Sequence, residues 1–266
     1  MKRFEDGLSD EGRAEGEVIA EIAGVPVRTS DNAGSYYCAH AWWTVTGWAG
    51  SDDATAAIDH EGEPLVGFLH VPADPETTGD PAPERDRHAA LREVVAAALR
   101  GWLDHLPEGA RVLLTGFSAF AGVVDNPTGA FTGDLGEVAR AVALATGSEA
   151  LVDVATGAVR GRGLEVVSVV LPVDDRSLAR SRAGSLPELL ARVRPHAVLS
   201  MGVHRVTDHF RVEVVPTSAG LVVGEGDARH SFEPRPVQRR GDVRSLARAI
   251  ARGSSRGYSG GRGGGA

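Results

Sequence analysis

One cysteine, Cys38, stands in 266 residues. That excludes an intrachain disulfide and any cysteine-rich zinc site. Lysine is equally scarce: Lys2 is the only one, and every other basic residue is arginine, a compositional bias to which we assign no function. Acidic residues outnumber basic ones by 36 to 28, for a net charge of −8. This balance disfavours nucleic acid or an anionic membrane surface as the main partner. No apolar run approaches the ~20 residues that span a bilayer. The opening MKRFEDGLSDEGRAEGE brings Lys2 and Arg3 but no apolar core, so it does not read as a secretory signal. A cytoplasmic protein with no membrane segment, cofactor or bound metal is the simplest expectation.

Hydrophobic residues make up 42% and charged residues 24%, which suits one substantial core or two modest ones. Residues 1–16 are polar and Gly-rich, and we expect them to be disordered. Residues 17–253 are expected to form a single α/β domain, and 254–266, SSRGYSGGRGGGA, a flexible tail.

Within the domain, EVIAEIAG (17–24) reads as a helix end and VPVRTS (25–30) as a strand. SDNAG (30–34) supplies turn and cap formers before a largely apolar helix over 35–49, which puts Cys38 near its first turn. PLVGFLHV (64–71) is a continuous apolar run of the kind found in buried strands. A Pro-rich loop (73–86) leads to a helix over 87–106. Further strands are read at 111–117, 164–173, 196–202 and 210–216. Further helices are read at 133–146, 177–195 (Pro187 marking a break or first turn) and 239–253. Strands alternating with helices imply a mainly parallel twisted sheet covered on both faces, an α/β/α sandwich. Sites in such sheets form beyond the carboxyl ends of the strands. TGF (115–117), the Cys38 turn and His70 all fall at such ends.

A thiol and a histidine on separate elements are the minimum equipment for nucleophilic amide hydrolysis. Near a helix start, backbone N–H groups would stabilise the Cys38 thiolate. A free cysteine is otherwise most often a small buried hydrophobe. His70, in LVGFLHVP, reads either as a neutral core histidine or as a site residue at a strand end. Glu213 alternates with Arg211 and Val215, and reads as an exposed edge carboxylate or as the acid that orients an imidazole. Asp208 is the second candidate for that role. Phe117 and Phe120 either plug the sheet end or clamp a flat ring by stacking. Asn126-Pro127 reads as a turn.

Four segments together resemble the pyroglutamyl peptidases (pyrrolidone-carboxylate peptidases), a family of cysteine amidohydrolases. TGFSAFAG with NPT resembles the family's TGFxPFGG and NPS; SDNAGSYYC resembles SxxAGxxxCN; GFLHVP resembles GFIHVP. HAVLSMGVHRVTDHFRVEVV is similar to the family's PDxxxxxGxAGGRxxIxxERVA, and counting from Gly202 falls on Glu213. The resemblance implies a Cys38–His70–Glu213 triad, with Phe117 and Phe120 holding the pyroglutamyl ring. The family places the glutamate and TGF segments before the cysteine and histidine; here they come after. The resemblance therefore implies a circularly permuted three-layer α/β/α sandwich, its usual ends joined through LPEGA (106–110). VHRVTD stands in place of the family's AGGR segment, Val214 replaces an arginine, Ala39 an asparagine and Ala119 a proline.

The implied activity is removal of an N-terminal pyroglutamyl group from a blocked peptide or small amide, possible as a homo-oligomer. One alternative is a cysteine amidase of different specificity. Another is a non-catalytic binding relative using RGYSGGRGGG (256–265) to touch RNA, which two arginines and an acidic chain support poorly.

Overall fold

The computed structural model of the chain describes residues 16–31, 37–57, 63–72, 87–120, 123, 125–174, 177–178, 182–204, 207–214, 222–223, 230–231 and 244–256. Val18–Ile22 (β1) and Val25–Ser30 (β2) form an antiparallel hairpin. Its turn residues, Ala23 and Gly24, both have positive φ, 51° and 72°, as a two-residue turn matched to strand twist requires. Residues 17–24 are therefore a strand and turn and not a helix end. Over so short a run Val18, Ile19 and Ile22 fit either period, and the turn decides.

Helix α1 (Tyr37–Ala49) and the short α2 (Asp52–Ala57) follow, then β3 (Leu65–Pro72) and α3 (Arg87–Leu103). Next come β4 (Ala110–Phe117), α4 (Pro127–Gly133) and α5 (Leu135–Thr146). β5 (Leu151–Asp153), β6 (Ala158–Gly161) and β7 (Leu164–Leu171) precede α6 (Leu186–Val193). β8 (Ala197–His204) and β9 (Phe210–Glu213) complete the main sheet. A two-stranded ribbon, β10 (Val222–Val223) and β11 (His230–Ser231), and α7 (Ser245–Arg256) close the order.

Nine strands make one sheet in the order β1-β2-β9-β3-β8-β4-β7-β6-β5. β3, β8, β4 and β7 are mutually parallel at its centre. Four neighbouring pairs are parallel and four antiparallel, so the fold is mixed α/β and the sheet is not mainly parallel. Three of the antiparallel pairs have a local reason, since short hairpins at both edges can join only antiparallel neighbours; the fourth is β9 against β3 inside the sheet. Strands from before and after the 104–109 connection share this sheet, with β8 standing between β3 and β4.

Alternate residues of the central strands enter two separate apolar clusters. Leu69, Val112, Leu114, Leu199, Met201 and Val212 join α3, α5 and α7. Val66, Phe68, Leu113, Phe117 and Val198 join α1 and α6, around fully buried Trp42. Covered so, these strands have no polar face, hence their continuous apolar runs.

Three further expectations are corrected. The 177–195 helix is only α6, opened by Ser185, whose hydroxyl accepts from Glu188 N at 3.4 Å, with Pro187 in its first turn. Asn126-Pro127 starts a helix and is not a free turn: Asn126 Oδ1 accepts from Thr128 N at 3.0 Å and proline needs no donor there. α7 runs to Arg256, so the first three residues of the expected tail are helical. Expectations for 1–15, 32–34, 73–86, 215–216, 239–243 and 257–266 lie outside the described residues. Among the described residues no helix is long and apolar enough to cross a membrane.

Candidate active site

The sheet face beneath α1 carries the chemistry. On β3 the period of two puts Val66, Phe68 and His70 on this face. The antiparallel pairing of Leu69 with Val212 and His70 with Arg211 sets β9 beside it, and Glu213 reaches the imidazole. His70 Nδ1 donates to Glu213 Oε1 at 2.7 Å, with His70 2% exposed and Glu213 0%. Nε2 is then the ring nitrogen left for the Cys38 sulfur, which hydrogen-bonds His70 from the first turn of α1. Cys38 is half-buried and packs against the edge of the α1–α6 cluster. Phe68 packs its edge on His70 at 5.0 Å between ring centres and walls it from water.

Gly202, paired with His70 in register on β8, makes room for this arrangement. A Cβ there would overlap the Cys38 sulfur and stand 3.1 Å from Phe68 Cζ. Gly202→Ala is therefore expected to push the sulfur off the imidazole. Any amide hydrolysis that Cys38 carries out should fall at least about tenfold, since ~1 Å of misplacement can cost about a hundredfold. The alkylation rate of Cys38 should fall with it while Tm changes little; an unaltered alkylation rate would show that Gly202 does not set the sulfur.

The electrostatics favour a charged pair. Burial by itself pushes His70 down, but hydrogen bonds to Cys38 and Glu213, and their charges, raise its pKa from 6.5 to about 9. Burial also opposes the Glu213 charge. The His70 hydrogen bond and charge, then the Ser30 hydroxyl and Arg211, nevertheless hold that carboxyl below its usual range. At neutral pH the arrangement is an imidazolium held between a carboxylate and a sulfur.

No family model, curated protein or solved structure matches this chain.

The remaining candidates divide. Asp208 has a fully exposed side chain and pairs with His209 Nδ1 at 3.0 Å, so it does not orient His70. Phe117 is 3% exposed inside the α1–α6 cluster, where it plugs the sheet end. Phe120 is half-buried and exchanges backbone hydrogen bonds with Val123 at 3.1 and 2.8 Å. Asn126 Nδ2 donates to Ser118 O at 3.1 Å, and Thr128 Oγ1 accepts from Phe117 N at 3.1 Å, pinning the start of that loop to α4.

Three neighbours of His70 and Glu213 were not singled out in the sequence. Arg211 Nη1 meets His204 Nε2 at 2.9 Å, and Arg211 Nη2 donates to Ser30 Oγ at 2.9 Å. The His204 ring stands edge-on to His70 at 5.5 Å. The one signal for Arg211 was its place two residues before Glu213, on the same strand face. Among the described residues no group of three or more His, Cys, Asp or Glu side chains is arranged to hold a metal ion.

Proposed function

We propose that this chain is a cysteine amidohydrolase that removes an N-terminal pyroglutamyl group, built as a three-layer α/β/α sandwich of circularly permuted order. The observation that carries the reading is the Cys38–His70–Glu213 contact chain, drawn from α1, β3 and β9 and spanning 175 residues of sequence. The two apolar clusters support the layers, and the single sheet spanning the 104–109 connection supports the permutation.

Cys38 Sγ attacks the pyroglutamyl carbonyl carbon, and the carbonyl electrons move to oxygen. The first N–H groups of α1, which have no partner within the helix, stabilise that oxyanion. His70 Nε2–H protonates the departing amine as the C–N bond breaks, leaving a thioester. Neutral His70 then takes a proton from water, hydroxide adds to the thioester, and the thiolate leaves. Glu213 holds the ring orientation and the imidazolium charge throughout.

The decisive assay is hydrolysis of a pyroglutamyl-anilide by the purified protein beside acetyl- and prolyl-anilides. Turnover of the pyroglutamyl substrate alone supports the reading. Turnover of another acyl-anilide through Cys38 selects an amidase of different specificity, a reading favoured by VHRVTD in place of the family's ring-recognition segment. No turnover of any amide removes both. The two phenylalanines should separate by their exposure. Phe120→Ala is expected to raise KM severalfold at nearly constant kcat. Phe117→Ala should also cost about 3 kcal/mol of stability, measured by urea denaturation.

A further inference from the structure

A guanidinium can donate hydrogen bonds and cannot accept them. The two contacts of Arg211 therefore fix protons on both of its partners. His204 Nε2, 2.9 Å from Arg211 Nη1, has to be a bare acceptor nitrogen, so the His204 ring is neutral with its proton on Nδ1. Ser30 Oγ, accepting from Arg211 Nη2 at 2.9 Å, has a lone pair engaged and its own O–H turned to other acceptors. Glu213 stands in register beside it: Ser30 is among the causes that lower its pKa, and its buried Oε2 has no other hydrogen-bond partner among the described residues. Backbone pairing holds this geometry: Ser30 lies in register with Glu213, and Val214 N donates to Ser30 O at 2.7 Å.

We propose that Arg211 is a positioning residue that locks His204 as its neutral Nδ1–H tautomer beside His70 and aims the Ser30 hydroxyl at Glu213. The His204 and His70 rings stand 5.5 Å apart. A second imidazolium at that distance would repel the first, a penalty borne by the weaker base of the two. Arg211 prevents this by occupying the nitrogen that would take the proton. Its charge also favours ionised Glu213, so one side chain tunes both flanks of the histidine.

The charged and titratable groups around the cluster, among the described residues, come from five elements. α1 brings Cys38, β3 brings His70, β8 brings His204, and β9 brings Arg211 and Glu213. β2 adds Arg28, in register with Arg211 but donating to Gly16 O at 3.3 Å and lying near Asp208.

The catalytic part of the inference rests on the acid–base role given to His70; the tautomer part does not. The test accordingly has two readouts. The ring nitrogens of 15N-histidine-labelled protein are followed by NMR from about pH 5 to about 8, where an unperturbed imidazole titrates, with His204→Gln to assign the signal. In the parent protein His204 Nε2 is expected to read as bare nitrogen throughout. Finding it protonated, or titrating within that range, overturns the proposal with no variant or substrate needed. In Arg211→Met, His204 should begin to titrate within that range, and the lower limb of the kcat/KM profile should move up toward the midpoint of that titration. Arg211→Lys, which keeps the charge but not the fork, should restore part of that shift. A folded Arg211→Met protein with unchanged His204 signals and pH limb also overturns it. If the tautomer is found but no amide is turned over, the positioning cluster stands and the hydrolase reading falls.

Discussion

Replacing Cys38 with serine is expected to lower kcat/KM for amide hydrolysis by on the order of ten-thousandfold or more, with Tm close to that of the parent. Serine keeps the size of the side chain and its hydrogen bond. What it loses is the nucleophile: a hydroxyl beside a histidine that is already protonated has no base to ionise it. His70 has its pKa raised to about 9, so near pH 7 the ring is mainly an acid. That state suits a serine poorly, since a hydroxyl needs a base to take its proton. His70→Ala should be about as damaging, since it removes the leaving-group acid and the water base together. Iodoacetamide should modify the half-buried Cys38, and His70→Ala should slow that reaction. Turnover of the Cys38→Ser protein at anything near the parental rate would sink the mechanism, as would alkylation indifferent to His70.

The central strands were legible because burial on both faces leaves a plain signature. LVGFLHV, RVLLTGF and AVLSMG are continuous apolar runs, and each is a strand flanked on both sides. The edges were not legible. β5 and β6 are three and four residues long, too short to show alternation, and the Ala23-Gly24 turn carries no proline or asparagine to announce it. Cys38 and His70 stood out by residue type and by their places at element ends. Glu213 and Asp208 could not be told apart by pattern alone. Sheet register separates them: β9 pairs Arg211 with His70 and seats Glu213 out of water, while Asp208 falls before the strand in the open. The Ser30–Arg211–His204 cluster depends on β2, β9 and β8, brought together in the sheet order 2-9-3-8, which is not the chain order, so no local reading reaches it.

Glu213→Gln should flatten the pH dependence of stability as well as slow catalysis. The sign follows from two shifts. The His70 pKa is raised in the fold, so its contribution is fully present below the ordinary 6.5 and is lost as pH rises through about 9. Such a rise corresponds to about 3 kcal/mol. The Glu213 pKa is lowered, so its contribution is present above the ordinary carboxylate value of 4.5 and is lost as pH falls below it. The parent protein is therefore expected to be most stable between these limits and to lose Tm on both sides. Glutamine keeps an oxygen to accept from His70 Nδ1 but cannot hold an imidazolium in a buried site, where an unpaired charge costs several kcal/mol. His70 then drops toward or below its ordinary value, and the alkaline loss of Tm disappears. The same change moves the upper limb of kcat/KM downward and lowers its plateau on the order of a thousandfold, less than removal of the nucleophile or the base. Thermal melts across pH and the rate profile of this one variant measure both effects. A Glu213→Gln protein that keeps the parental alkaline loss of Tm would show that the carboxylate does not hold the His70 charge.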